Sequence, residues 1–442
     1  MISPPKAPKY KNPATTKKWL LGCFLIGPLV CCGGPALFAR KWVDTFDYSA
    51  DLDTQIAAAK KAGMPFVRQD LKRSPALAEN ENSFSLALRV LKDFPEATEL
   101  TSKARQDEEP IPEKLKSLIS RSQAIARRKG FDGNKDMDKG FLELYPEYLP
   151  LKSCARALAI QATHEAALGH ADSAIENLRL GRALALQLDD QQILIGVLVR
   201  ISMMQVYYRA VSKVIGHFEN NHDVLERLRT LLKEPVHEVD RTLFLKGEYY
   251  YALSFTRNFK AFGGLKALSG GKDLPTAVNE RRLRRTGLPD GALERGMLGS
   301  FIKHYLEIYT IYNQEPNIAK AGKKADLYAT KVPMTTSNSL LIAMLPVLAP
   351  AGVAWEKQKL CPPILIASID LIEHRKGGEF PGEIPDIADP LAGGTLNYHR
   401  TGGGFIIYSS GENGKDDGGP KNYTDRKSSD DFGFEYPFLL KK

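Results

Sequence analysis

The chain is poor in the residues and motifs that announce chemistry. Only five of its 442 residues are cysteine, and Cys23, Cys31 and Cys32 fall within one apolar run. No C-x-x-C pair exists, so zinc-ribbon and thioredoxin-like sites lack their ligands. Cys154 and Cys361 remain, as two buried thiols or, in an exported chain, as one disulfide. His164-Glu165 is followed by a second histidine only at His170. A zincin helix needs its histidines four apart, and a spacing of six turns them about 120° away from each other. His217 and His222, five apart, fail in the same way. The run Gly264 to Lys272 carries Lys266 where a phosphate loop needs glycine, and Asp273 where it needs Ser or Thr. There is no G-x-S-x-G elbow, and no G-x-G-x-x-G follows a strand. No residue is therefore assigned a catalytic role.

A nucleic-acid footprint is missing too. The net charge is +9, but Lys6, Lys9, Lys11, Lys17 and Lys18 crowd the first eighteen residues, and Lys441 and Lys442 close the chain. The body between them is close to balanced. Its arginine run, Arg281-Arg282-Leu283-Arg284-Arg285, sits in the glycine-bearing stretch 259–291, which reads as a long exposed loop.

One long hydrophobic run is present. Trp19 to Ala39 is uncharged over 21 residues, enough to cross a bilayer as a helix. The lysines before it outweigh Arg40 and Lys41 after it, and four aspartates follow by Asp53. The positive-inside bias then leaves the N-terminus in the cytoplasm and the bulk outside. A retained signal anchor fits this pattern. A cleaved signal peptide with Gly34-Pro35-Ala36 as its site is the alternative. Leu20-Leu21-Gly22-Cys23 has a lipobox look, but too few apolar residues precede it for an h-region.

The body reads as helical. Helical periodicity marks Asp51–Gly63, Asn82–Phe94, Pro112–Lys129, Leu151–Leu168, Ala174–Leu188, Gln191–Ile215, Val224–Leu232, Arg241–Phe259 and Met297–Asn313. The segment around Gly169-His170-Ala171-Asp172 resembles the turn of one tetratricopeptide-type hairpin. No second copy follows at a 34-residue period, so an irregular bundle is expected and not a solenoid. Leu340 to Trp355 is too short for a span and reads as a buried helix pair interrupted by Pro346 and Pro350.

The last eighty residues carry the most legible pattern. An apolar helix, Ile364 to His374, is followed by Glu379-Phe380-Pro381-Gly382 and Asp389-Pro390-Leu391-Ala392-Gly393-Gly394. Two strand-like runs come next, Leu396-Asn397-Tyr398-His399 and Gly404-Phe405-Ile406-Ile407-Tyr408-Ser409. Then come Ser410-Gly411-Glu412-Asn413-Gly414 and a late Asp430-Asp431. In order and type these elements resemble the C-terminal half of the major pseudopilin of type II secretion systems. That half has a helix, a D-P segment, a Y-S-x-G-x-D-G segment and a terminal acidic loop. The resemblance implies a small α+β fold and a calcium site in the loop. Its positions fall on Asn413, Asp416, Asp417, Asp430 and Asp431, with Asn413 standing where the family has aspartate. The prepilin cleavage pattern of glycine, phenylalanine and glutamate is absent, so the tail does not imply a pilus subunit.

The sequence thus predicts a mainly α protein in four parts. These are a basic cytoplasmic tail (1–18), a transmembrane anchor (19–39), an irregular helical extracytoplasmic bundle (40–338) and a helix with a small β-hairpin tail (339–442). The functional expectation is a non-catalytic binding or scaffolding protein of the bacterial envelope. It would hold the membrane through Trp19 to Ala39, meet protein partners there and bind no nucleic acid. Two alternatives stand beside it. One is an enzyme acting on an envelope polymer through dispersed carboxylates, and the other is a secretion-system component.

Overall fold

The computed structural model describes residues 51–71, 77–103, 110–133, 136–142, 145–236, 240–257, 292–332, 348–420 and 430–438. The expected anchor Trp19–Ala39, the 259–291 loop with its arginines, and residues 340–347 lie outside them. The described residues form 12 α-helices and a three-stranded antiparallel sheet near the C-terminus.

The helices are α1 (Leu52–Lys61), α2 (Phe84–Asp93), α3 (Ala97–Lys103), α4 (Glu113–Ala126), α5 (Tyr148–Ala167) and α6 (Ala171–Leu186). They continue as α7 (Leu194–His217), α8 (His222–Lys233), α9 (Arg241–Arg257), α10 (Ala292–Gln314), α11 (Ile318–Ala329) and α12 (Leu348–Glu373). Strands β1 (Asn397–Thr401), β2 (Gly404–Ser409) and β3 (Phe432–Tyr436) follow.

Local chemistry sets several of the boundaries. Asp51 caps α1 by accepting the Thr54 N–H at 3.0 Å. Gly63, at φ +69°, ends it in a Schellman turn, with the Met64 N–H reaching the Ala59 carbonyl. The α5–α6 hairpin turns the same way. Gly169 has φ +79° and the His170 N–H reaches the Glu165 carbonyl. The tetratricopeptide-like turn is thus a C-cap motif built on a single glycine.

Helix α7 is central. It packs on α5, α6, α8, α9 and α12. By length and apolarity it would cross a membrane, yet 61% of its most apolar window is buried by these neighbours. A helix apolar on every side has to be surrounded, and here the surround is protein.

Two backbone crossings pass at close quarters through glycine. A Cβ on Gly247 of α9 would lie 1.5 Å from the Gln192 carbonyl, just before α7. On α11, a Cβ at Gly322 would lie 2.7 Å from the Ala349 Cα, and one at Gly352 of α12 would lie 2.6 Å from the Ile318 carbonyl. Only glycine permits such approach.

The structure revises the sequence reading at the C-terminal end. From Leu348, where the described part of the expected helix pair begins, the chain runs through Trp355 and the helix from Ile364 as one element, α12, with Pro362 and Pro363 inside it. Pro350 falls in its first turn, where the missing N–H costs nothing. The proline pair in its middle deprives the Gln358 and Lys359 carbonyls of their helical donors, and packing on both sides retains the helix. Helix α12 contacts α7, α8, α11, β2 and β3 alike. The hairpin gains a third strand, β3, paired along β2 from Phe405↔Tyr436 to Ser409↔Phe432.

One ion pair is buried among these elements. The Arg200 side chain on α7 is fully buried, donates from Nε to Asp189 Oδ1 at 2.5 Å and lies 5.7 Å from the Trp355 ring centroid. Removing one partner of such a pair strands the other charge. Asp189→Ala is expected to lower the unfolding free energy by about 3–5 kcal/mol in chemical denaturation, and pairing it with Arg200→Met should recover most of that loss.

Candidate functional site

The five residues expected to form a calcium loop lie in the turn after β2 and at the start of β3. The sheet has two faces because side chains alternate. Phe405 and Ile407 point into the core, where Phe405 stacks on Tyr436 and meets Phe380 edge-on. His399, Ile406 and Tyr408 occupy the opposite face. The register His399↔Ile406 makes His399 and Tyr408 diagonal neighbours.

Residues 411–419 fold over this second face. Gly419 passes over the Tyr408 ring, and Tyr408 is buried. Its hydroxyl donates to Asp416 Oδ1 at 2.7 Å and lies 2.8 Å from His399 Nε2. A phenol has one proton, which goes to Asp416. His399 therefore donates from Nε2 to the phenol oxygen. The second Asp416 oxygen is 3.9 Å from His399 Nε2. Burial, then the neighbouring Asp416 carboxylate, push the Tyr408 phenol upward, while the Tyr408 hydroxyl and the Gly418 N–H hold the Asp416 carboxyl below its ordinary value.

The other aspartates close the loop as a reciprocal clasp. Asp431 Oδ2 accepts the Asp417 N–H at 3.1 Å and the Gly419 N–H at 2.8 Å, while Asp417 Oδ2 accepts the Asp430 N–H at 3.4 Å. Gly411 (φ +67°) is needed beneath the clasp, since a Cβ there would lie 2.3 Å from the Asp430 carbonyl. Burial, then the nearby Asp417 and Asp416 charges, raise the Asp431 carboxyl, while the two N–H donors act against them. Asn413 stands apart from this group and accepts the Lys415 N–H at 2.7 Å within its own turn. The structure thus brings Asp417, Asp430 and Asp431 into one clasp, carries Asp416 to Tyr408, and leaves Asn413 local. Among the described residues, no three His, Cys, Asp or Glu side chains converge as a metal centre.

The Asp-Pro and Tyr-Ser-x-Gly segments meet as well. Buried Asp389 accepts the Leu391 N–H and the Ser409 hydroxyl, each at 2.9 Å, and Ser409 Oγ accepts the Gly411 N–H at 3.0 Å. His399 and Tyr408 were legible only as strand residues. Period-two alternation across the Gly402-Gly403 turn is the signal that places them on one face.

Elsewhere three buried or half-buried polar side chains serve helix ends. Glu248 on α9 accepts the first N–H of α7, that of Leu194, at 2.6 Å, and Glu356 on α12 accepts the first N–H of α11, that of Ile318, at 3.1 Å. Gln187 donates to the Ile125 and Arg128 carbonyls at the end of α4, each at 2.8 Å, and accepts from Ser83 at 2.7 Å. Cys154 and Cys361 are separate buried thiols, and burial raises both, Cys154 to about 11. His170, the second histidine of the rejected zincin pattern, bonds Glu165 at 2.8 Å. Comparison with protein-family models, curated proteins and solved structures finds no match.

Two predictions follow from these carboxylates. Because backbone donors already occupy the clasp, the melting temperature of the full chain is expected to be the same in calcium and in chelator. A rise in calcium would assign the Asp417, Asp430 and Asp431 oxygens to a cation. Burial raises Glu248 from 4.5 to about 7. The folded state therefore holds its proton more tightly than the unfolded chain. Its share of stability is full below the unfolded value and falls as pH rises from about 4.5 to about 7, by on the order of 3 kcal/mol. Glu248→Gln should flatten that part of the stability–pH curve measured by denaturant titration.

Proposed function

We propose that this chain is a membrane-anchored, extracytoplasmic binding or scaffolding protein of the bacterial envelope, with Trp19 to Ala39 as its anchor and other envelope proteins as its partners. The observation that carries the non-catalytic half of this reading is how the interior uses its polar groups. The half-buried Glu248 and the buried Glu356 cap helices, and Asp189 neutralises Arg200. The cavity at the crossing of α5, α6 and α7, between groups such as Ala155, Leu178, Met203 and Tyr207, has a volume of about 10 Å³, room for little more than one water. An enzyme on an envelope polymer needs a cleft with carboxylates roughly 5–10 Å apart, and this cavity is small and mostly apolar. The anchoring half rests on the charge asymmetry around the apolar run.

After expression in a bacterial host, the chain is expected in the membrane fraction, resistant to carbonate extraction. Its body should be degraded by protease added outside the cytoplasmic membrane. Chemical crosslinking in intact cells should join it to other envelope proteins. Recovery in the soluble cytoplasmic fraction overturns the anchored reading, and turnover of an envelope polymer by the purified chain overturns the non-catalytic one.

A further inference from the structure

We propose that His399, Tyr408 and Asp416 form a binding site for one transition-metal ion, Cu²⁺ or Fe³⁺, on the outer face of the C-terminal sheet. This proposal does not depend on the envelope reading.

The three donors are already spaced as ligands of one ion. Tyr408 Oη is 2.8 Å from His399 Nε2 and 2.7 Å from Asp416 Oδ1, and His399 Nε2 is 3.9 Å from Asp416 Oδ2. With metal–ligand bonds of ~2.0–2.2 Å, adjacent ligands sit ~3 Å apart and opposite ones ~4 Å apart. His399 Nε2, Tyr408 Oη and the two oxygens of the Asp416 carboxylate are therefore spaced to share one coordination sphere. The donor chemistry is selective. Imidazole suits copper, iron, nickel and zinc, and a phenol and a carboxylate add hard oxygens that favour the more Lewis-acidic ions. Calcium prefers six to eight oxygens and gains little from an imidazole.

The site is also pre-organised. The β1–β2 register fixes His399 and Tyr408, and the Gly418 N–H holds Asp416 at 2.9 Å. The His399 and Asp416 side chains keep 55% and 46% of their accessible surface, which leaves the remaining coordination positions open to water. Asp431 lies behind, and burial, with the repulsion of the Asp417 and Asp416 charges added to it, raises its carboxyl. A cation on this face relieves that repulsion. In the metal-free state the phenol proton bridges to Asp416 and the imidazole proton bridges to the phenol. Coordination by His399 Nε2 moves the imidazole proton to Nδ1, and coordination by Tyr408 as phenolate releases one proton to solvent.

The test is a titration of the full chain with Cu²⁺, and separately with Fe³⁺ delivered as its nitrilotriacetate complex, followed by visible absorbance. One ion per chain should bind, with a phenolate-to-metal charge-transfer band. Tyr408→Phe should abolish the band. His399→Gln, at an exposed position where folding is not at stake, should weaken binding roughly tenfold or more, as should Asp416→Asn. Near-ultraviolet circular dichroism of each metal-free variant checks that the fold is kept. Absence of a charge-transfer band with either ion overturns the proposal. So does a metal affinity left unchanged by His399→Gln, which would mark uptake by histidines elsewhere and leave the three side chains as a hydrogen-bonded peg.

Discussion

A helix that starts inside a bundle brings unsatisfied N–H groups with it, and the placement of α7 depends on how that demand is met. Its first N–H meets the carboxyl of Glu248, carried by a different helix. The same device recurs where Glu356 receives the start of α11, and in reverse where Gln187 reaches the last carbonyls of α4. Each bond ties the end of one helix to the flank of another. The arrangement fixes helix positions along their axes, which apolar packing alone leaves loose. Its cost is desolvation, visible in the raised carboxyl of Glu248.

The glycines act at the same junctions. Gly247 lets α9 touch the backbone at Gln192, one residue from Glu248, so close approach and capping occur at one point. Gly352 does likewise for α12 and Ile318, near Glu356. Through α12 the bundle continues into the sheet, whose inner face is an aromatic stack around Phe405 and Tyr436 and whose outer face carries His399 and Tyr408. The inner face joins the common core. The outer face is closed by a loop that its own aspartates hold shut.

Much of the helical body was legible in advance, because amphipathic spacing and glycine stops are local signals. Gly63 and Gly169 end their helices where the sequence placed them. Helix α11, with its alanine and lysine run, and the short α3 lacked a strong apolar stripe and went unread. Strand β3 escaped for another reason. Phe432, Phe434 and Tyr436 favour a strand, but the run is only five residues long and carries Gly433 and Glu435, and pairing with β2 makes it a strand. Of the expected acidic loop, the positions of Asp417, Asp430 and Asp431 prove to be neighbours. Which atoms face them was not readable, since an aspartate in a glycine-rich turn accepts a backbone N–H as readily as it takes a cation.

The sequence by itself determined the mainly helical class, the turn glycines, the scarcity of cysteine chemistry and the alternation that puts His399 and Tyr408 on one face. These follow from composition and from periods of 3.6 and 2, which need no partner to be expressed. Only the tertiary structure decided that α7 is a core helix, that two prolines lie within one continuous α12, that Glu248 and Glu356 cap helices remote in sequence, and that Asp416 meets Tyr408. Each of these depends on which surfaces meet after folding, and burial and hydrogen-bond partnership are properties of that meeting, absent from any local stretch of chain.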